Sequence, residues 1–127
     1  MKRPEDLARR FLALADRDIR AFRKLSDDPE IDDEIVGFHA QQAVEKCLKA
    51  VLTRHRIEQR KTHDLQLLID LLIQNKIPSP PLCEGIDTLG PFAVELRYDL
   101  MATESLDRGQ ARAVVEAVRS WAEQQVS

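Results

Sequence analysis

Aromatic side chains make up only 5% of the sequence, so its core must be filled mainly by Leu, Ile, Val and Ala, which suits helices packed on helices. Long apolar runs are missing as well. Nothing approaches the roughly 18 uninterrupted apolar residues of a membrane span. The opening MKRPEDLARRFLALADRD mixes charge into positions where a signal peptide would have an unbroken apolar core. A cytoplasmic location without membrane attachment is expected. The two cysteines, Cys47 and Cys83, fall on predicted helices without the paired spacing of a metal site; in a reducing compartment they read as small core residues, not as a disulfide. No segment shows the period-2 alternation of a strand, and no solenoid-length repeat or low-complexity tract is present. Net positive charge is lacking too. The formal charge of −3 argues against coating nucleic acid through bulk electrostatics and leaves only a local basic patch to grip phosphate.

What is present is helical period, in a chain of 127 residues that suffices for one domain, 1–127, around a single core. The stretch from Phe38 to Leu65, FHAQQAVEKCLKAVLTRHRIEQRKTHDL, holds the strongest pattern, the densest basic cluster and all three histidines. At about 100° per residue, Val36, Ala40, Ala43, Val44, Cys47, Leu48 and Val51 form one apolar arc. His39, Gln42, Lys46, Lys49 and Thr53 line the opposite side as a polar seam. Gln41, at the margin of the arc, is expected to be partly buried and hydrogen-bonded. The seam runs into Arg54, His55, Arg56, Arg60, Lys61 and His63, a positive excess within an acidic chain.

The remaining helices follow from the same period. Pro4, Glu5 and Asp6 suit a first turn, and Leu7, Phe11, Leu14, Ala15, Ile19 and Phe22 predict a buried face ending near Leu25. SDDPEIDDE is a turn, with Asp32 or Asp33 as the cap of a second helix that reaches about His55 or Arg56. After a loop at IEQRKT, Thr62 is expected to cap a third helix with His63 and Asp64 in its first turn and Leu65, Leu68, Ile69, Leu72 and Ile73 buried. KIPSPPL is a non-helical link. From Leu82 a fourth helix is expected through Ile86, Leu89, Phe92, Ala93 and Leu96, kinked or split at Thr88 to Pro91 because a proline removes a backbone bond and clashes with the turn before it. The last helix starts after Ser105 or Asp107 and runs to about Gln125, burying Ala111, Val114, Val115, Val118, Trp121 and Ala122. The fold class is therefore all-α: an up-and-down antiparallel bundle of four long helices plus a shorter fifth.

FHAQQAVEKCLKAVL, the following KTHDLQLLIDLL, and LRYDL at the end of the fourth helix together resemble the HEPN family, the higher eukaryotes and prokaryotes nucleotide-binding domain. The resemblance spans essentially the whole chain. It implies a five-helix, largely antiparallel bundle, commonly a homodimer, often encoded beside a minimal nucleotidyltransferase and often the toxin half of a toxin–antitoxin pair. Many active members are metal-independent ribonucleases that use an arginine followed, after four to six residues, by a histidine. The histidine moves a proton at the ribose 2′-hydroxyl while the arginine holds the phosphate. The matching arginine here is Arg97. The positions where the histidine would fall hold Ala102, Thr103 and Glu104, none of which replaces an imidazole, so the nuclease motif is degenerate.

Candidate site residues divide accordingly. Arg97 and His63 are the catalytic candidates; Arg97, Tyr98, Lys46, Lys49, Arg56, Arg60, Lys61 and His63 are candidates for holding a nucleotide, RNA or a partner protein. Each has a plainer reading. Arg97 can pair with an acid or with helix-end carbonyls; Lys46 and Lys49 can belong to a solvated helix face; His63 can lock the loop. Arg56 and His63 have six residues between them, the spacing of the nuclease pair, but in the second loop, where the family carries its KTHDL element. His39, His55 and His63 match no helical ligand spacing, so neither metal nor cofactor is expected. Three functions are carried forward: a nucleotide-, RNA- or partner-binding component of a nucleotidyltransferase-linked module, a metal-independent ribonuclease toxin with an unusual Arg/His pair, and a structural helical oligomer.

Overall fold

The computed structural model describes residues 2–59, 61–93 and 105–127. Among these residues every regular element is helical. α1 spans Pro4–Ser26, α2 Asp33–Arg54, α3 Leu65–Gln74, α4 Cys83–Asp87 and α5 Arg108–Val126, with a single 3-10 turn at Gly90–Phe92. The fourth helix is split where the Gly90–Pro91 pair requires it, and its expected continuation to Leu96 lies outside the described residues.

α2 is the central helix. Val36, Ala40, Ala43, Val44, Cys47, Leu48, Val51 and Leu52 are buried along it, together with Gln41 and Glu45, so more than one side is covered. α1 lies antiparallel to α2 across the short turn at 27–32, and Asp18 near the middle of α1 reaches His39 of α2. α5 runs parallel to α2: Arg108 at its start binds Asp33 at the start of α2, and the Arg54 side chain at the far end donates to the Val126 carbonyl. α1 is therefore antiparallel to both. A ladder of ion pairs closes the α1–α5 face, from Arg9–Glu123 at 2.5 Å through the two-pronged Asp16–Arg119 contact to Asp27–Arg112 at 3.2 Å.

Three boundaries and faces differ from expectation, each for a local reason. In α1 the buried seam is Ala8, Leu12, Ala15, Ile19 and Phe22, rotated from the predicted one; Leu7 is exposed, and Phe11 and Leu14 are only half-buried, because α5 covers the far flank. Asp64, not Thr62, caps α3: its carboxylate accepts from the backbone N–H of Gln66 and Leu67 at 3.0 and 3.3 Å, while the Thr62 hydroxyl accepts from the Asp64 N–H. Ile73 is 54% exposed at the margin of the short α3. α2 and α3 end on the same device. Arg56 and Lys76 take left-handed conformations, with φ of 61° and 59°, and the following Ile57 and Ile77 donate backbone bonds to Leu52 and Leu72 five residues back.

The Arg108 guanidinium organises the α1–α2 turn. It binds the Asp33 carboxylate and donates to the carbonyls of Ser26, Asp28 and Ile31, satisfying backbone acceptors that the end of α1 leaves open. Trp121 is buried in α5 as expected, and its indole N–H meets no acceptor among the described residues.

Candidate functional site

The polar seam of α2 is not a bare solvated face. Two carboxylates lie beneath it, each buried and each gripping one lysine and one imidazole. Asp18, 8% exposed, accepts from Lys46 and bonds His39 Nδ1 at 3.0 Å. Glu45, 3% exposed, accepts from Lys49 Nζ at 3.0 Å and bonds His63 Nδ1 at 2.9 Å. Burying an unpaired carboxylate would be prohibitive, so the lysine in each cluster is spent first on local neutralisation. This corrects the reading of Lys46 and Lys49 as members of a solvated face: both are largely covered and ion-paired.

Gln41 completes the second cluster. Fully buried, it donates to Glu45 Oε1 at 3.1 Å and to the His63 carbonyl at 3.2 Å, while Gln42 donates to its amide oxygen at 2.8 Å. His63 is thus tied to α2 through both backbone and ring, and it precedes the α3 cap instead of lying in the first turn. A carboxylate only accepts, so the ring donates from Nδ1, and in the neutral ring Nε2 is left as the acceptor. The ring itself is mostly exposed, with side-chain exposure of 63%.

Beside His63 opens a cleft of about 450 Å³, lined by Asp64, Gln66, Ile86, Asp87 and Gly90 among others. Its chemistry is mixed. The start of α3 borders it, yet the N–H groups there that could cradle a phosphate are taken by Asp64. Asp87 adds a second carboxylate, which suits an amino-bearing base edge better than a phosphate. Cations stand instead in the loop leading to His63: Arg56 and Lys61 are exposed and form no ion pair or side-chain hydrogen bond among the described residues. Arg60, Arg97 and Tyr98 lie outside the described residues. Among the described residues no group of three His, Cys, Asp or Glu side chains could hold a metal ion.

Asp18 and Glu45 were the participants missed from the sequence. A signal for them existed: Glu45 stands four residues before Lys49 on a flank shared with Gln41 and Leu52, and Asp18 interrupts the apolar run from Ala15 to Phe22.

A central helix wrapped by antiparallel and parallel neighbours, with a histidine-bearing polar loop docked on it, defines an all-helical domain. The chain belongs to the HEPN domain family, whose model matches residues 8–125. It is similar in fold to an archaeal HEPN homologue of known crystal structure, aligning over 100% of both chains with a TM-score of 0.61 and 20% identity. At that identity the likeness speaks for the fold alone. Comparison with functionally curated proteins gives no match. Family membership brings a nucleotide- or RNA-related function at the level of the family. No described helix is long and apolar enough to cross a membrane.

Proposed function

We propose that this chain is the nucleotide- or RNA-binding component of a nucleotidyltransferase-linked, toxin–antitoxin-like module in the cytoplasm, with its ligand held at the His63 end of the bundle. The observation that carries this reading is the imidazole of His63, fixed by buried Glu45 at the lip of a cleft, with Arg56 and Lys61 in the same loop forming no ion pair among the described residues. Phosphate is assigned to Arg56, Lys61 and His63, and the base edge to the cleft, where Asp87 accepts from an exocyclic amine. Arg60, Arg97 and Tyr98 remain proposed members of the binding set from the family resemblance; Lys46 and Lys49 act through the carboxylates they neutralise. Titration with adenosine and guanosine nucleotides and a short RNA, beside copurification with a neighbouring nucleotidyltransferase, tests the assignment. Binding weakened at least tenfold by Lys61→Gln or His63→Ala supports it; no binding to nucleotide, RNA or nucleotidyltransferase at micromolar concentrations overturns it.

One observation favours a second reading. A buried carboxylate that orients Nδ1 and leaves Nε2 free is what a general base requires, so a metal-independent ribonuclease using His63 with Arg97 or Arg56 is the rival. RNA cleavage in the presence of a chelator, abolished by His63→Ala and by Arg97→Ala, would establish it. The domain is further proposed to work as a homodimer. A light-scattering mass of one chain counts against that, and a dimer indifferent to every nucleotide and partner returns the structural-oligomer reading.

A further inference from the structure

We propose that the outer face of α1 is a docking surface for the phosphate backbone of a nucleic acid, read without regard to base sequence. Several arginines of the bundle are paired: Arg9, Arg23, Arg108, Arg112 and Arg119 each meet a carboxylate. Arg10, Arg17, Arg20 and Lys24 are different. All four are exposed on α1 and none forms an ion pair or side-chain hydrogen bond among the described residues. At about 100° per residue they fall within one arc of about 80°, and at 1.5 Å per residue they extend over about 21 Å. No acid shares that arc between Arg10 and Lys24; Asp6, just before it, is engaged by Arg3 at 3.5 Å.

Both flanks are charge-paired, so the stripe stands out against them. On one side Arg17 borders a recess of about 320 Å³ that also holds His39 and Lys46 over buried Asp18. On the other, Arg20 borders a groove of about 640 Å³ in which Arg23 and Arg119 are paired with Glu116 and Asp16. In a chain whose formal charge is −3, an unneutralised line of this length is a local reversal of sign.

The character of the face selects the partner. Interfaces with protein have an apolar centre, whereas nucleic-acid interfaces are polar and basic. Within the arc the one uncharged exposed side chain between Arg10 and Lys24 is Ala13; the exposed Leu7 lies to one side of it. Nothing on the stripe could wedge into a bilayer, and no aromatic stands there to stack a base. That leaves backbone contact, for which guanidinium groups are suited by their forked donors. The surface shares no residue with the His63 cleft. It rests on the nucleotide reading only for the nature of the polymer.

The test is the salt dependence of oligonucleotide binding by the whole chain. Four phosphate contacts give a slope of log K against log salt of about −3.6 for a duplex and about −2.8 for a single strand, a loss of about 150-fold or about 50-fold between about 50 and 200 mM salt. Each of Arg10→Gln, Arg17→Gln, Arg20→Gln and Lys24→Gln should bring the slope closer to zero by about 0.9 or 0.7, and the quadruple variant should remove binding. These side chains are exposed, so helicity is expected to persist; the single variants carry the test if the quadruple one is lost. The duplex and single-strand arms identify which polymer binds. Absence of oligonucleotide binding at low salt, an unchanged slope in the variants, or equal competition by polyglutamate or anionic vesicles overturns the proposal. Retained mononucleotide binding in the α1 variants separates its failure from failure of the His63 reading.

Discussion

Glu45 stays buried because three donors converge on it: Lys49 supplies charge, while Gln41 and His63 occupy its remaining lone pairs. Glu45→Ala would leave Lys49 covered without a counter-charge and is expected to lower stability by about 3 kcal/mol in denaturant unfolding. Glu45→Gln keeps the shape and an oxygen that still accepts from Gln41 and His63, so it is expected to cost less, while loss of the carboxylate charge weakens the hold on the His63 ring and ligand binding should fall further than stability does. Arg56 makes the opposite trade. A side chain with φ of 61° is strained relative to glycine, and Arg56→Gly is expected to raise stability by about 1 kcal/mol while weakening ligand binding. Lys76 occupies the same backbone position after α3, so strain alone does not mark a site; the conjunction with His63 does. At this scale the sequence pointed to His63, Arg56 and Lys61, because histidine and cations are visible as residue types. It could not reveal which lysines are neutralised, since Asp18 lies 28 residues from Lys46 and the pairing depends on how α1 docks.

Among the elements, α2 was the most legible, since its apolar residues repeat over six turns, and its end was displaced by only one or two residues. The faces of α1 and α3 were less so. Periodicity defines an arc but not its centre when a second helix approaches from a flank, as α5 does for α1. The α3 cap was missed because Thr62 and Asp64 are both good caps, and the choice depends on where the His63 backbone is pulled by Gln41. Contact between α2 and the Gly90–Phe92 turn was invisible as well. Gly37 lies against the ring of Phe92 so closely that a β-carbon there would overlap the ring. Gly37→Ala is therefore expected to destabilise by about 2 kcal/mol, and Gly37→Ala with Phe92→Leu to recover part of it, as thermal unfolding of the two variants will show.

For the whole molecule, stability should be bounded by titration at both extremes. A hydrogen bond from Arg9, aided by Arg119, holds the Glu123 carboxyl below its ordinary value of 4.5 against the opposing effect of burial. Its contribution is full above that value and is lost as pH falls through the lowered one, loosening the α1–α5 face. Burial pushes the Cys47 thiol up from 9.0 to about 12, so the fold is penalised as pH rises from about 9 toward about 12, where the unfolded chain ionises first. Unfolding curves between pH 3 and 11 are expected to show a plateau with a decline at each end, and Cys47→Ala should lessen the alkaline decline. Native Cys47 should also resist thiol reagents until the chain unfolds.

The buried indole of Trp121, the single tryptophan of the chain, meets no hydrogen-bond acceptor for its N–H among the described residues. It therefore serves as a built-in optical probe: its emission reports the seating of α5 alone, and a red shift that precedes loss of helicity would reveal the last helix lifting away while the α1–α2 hairpin still holds.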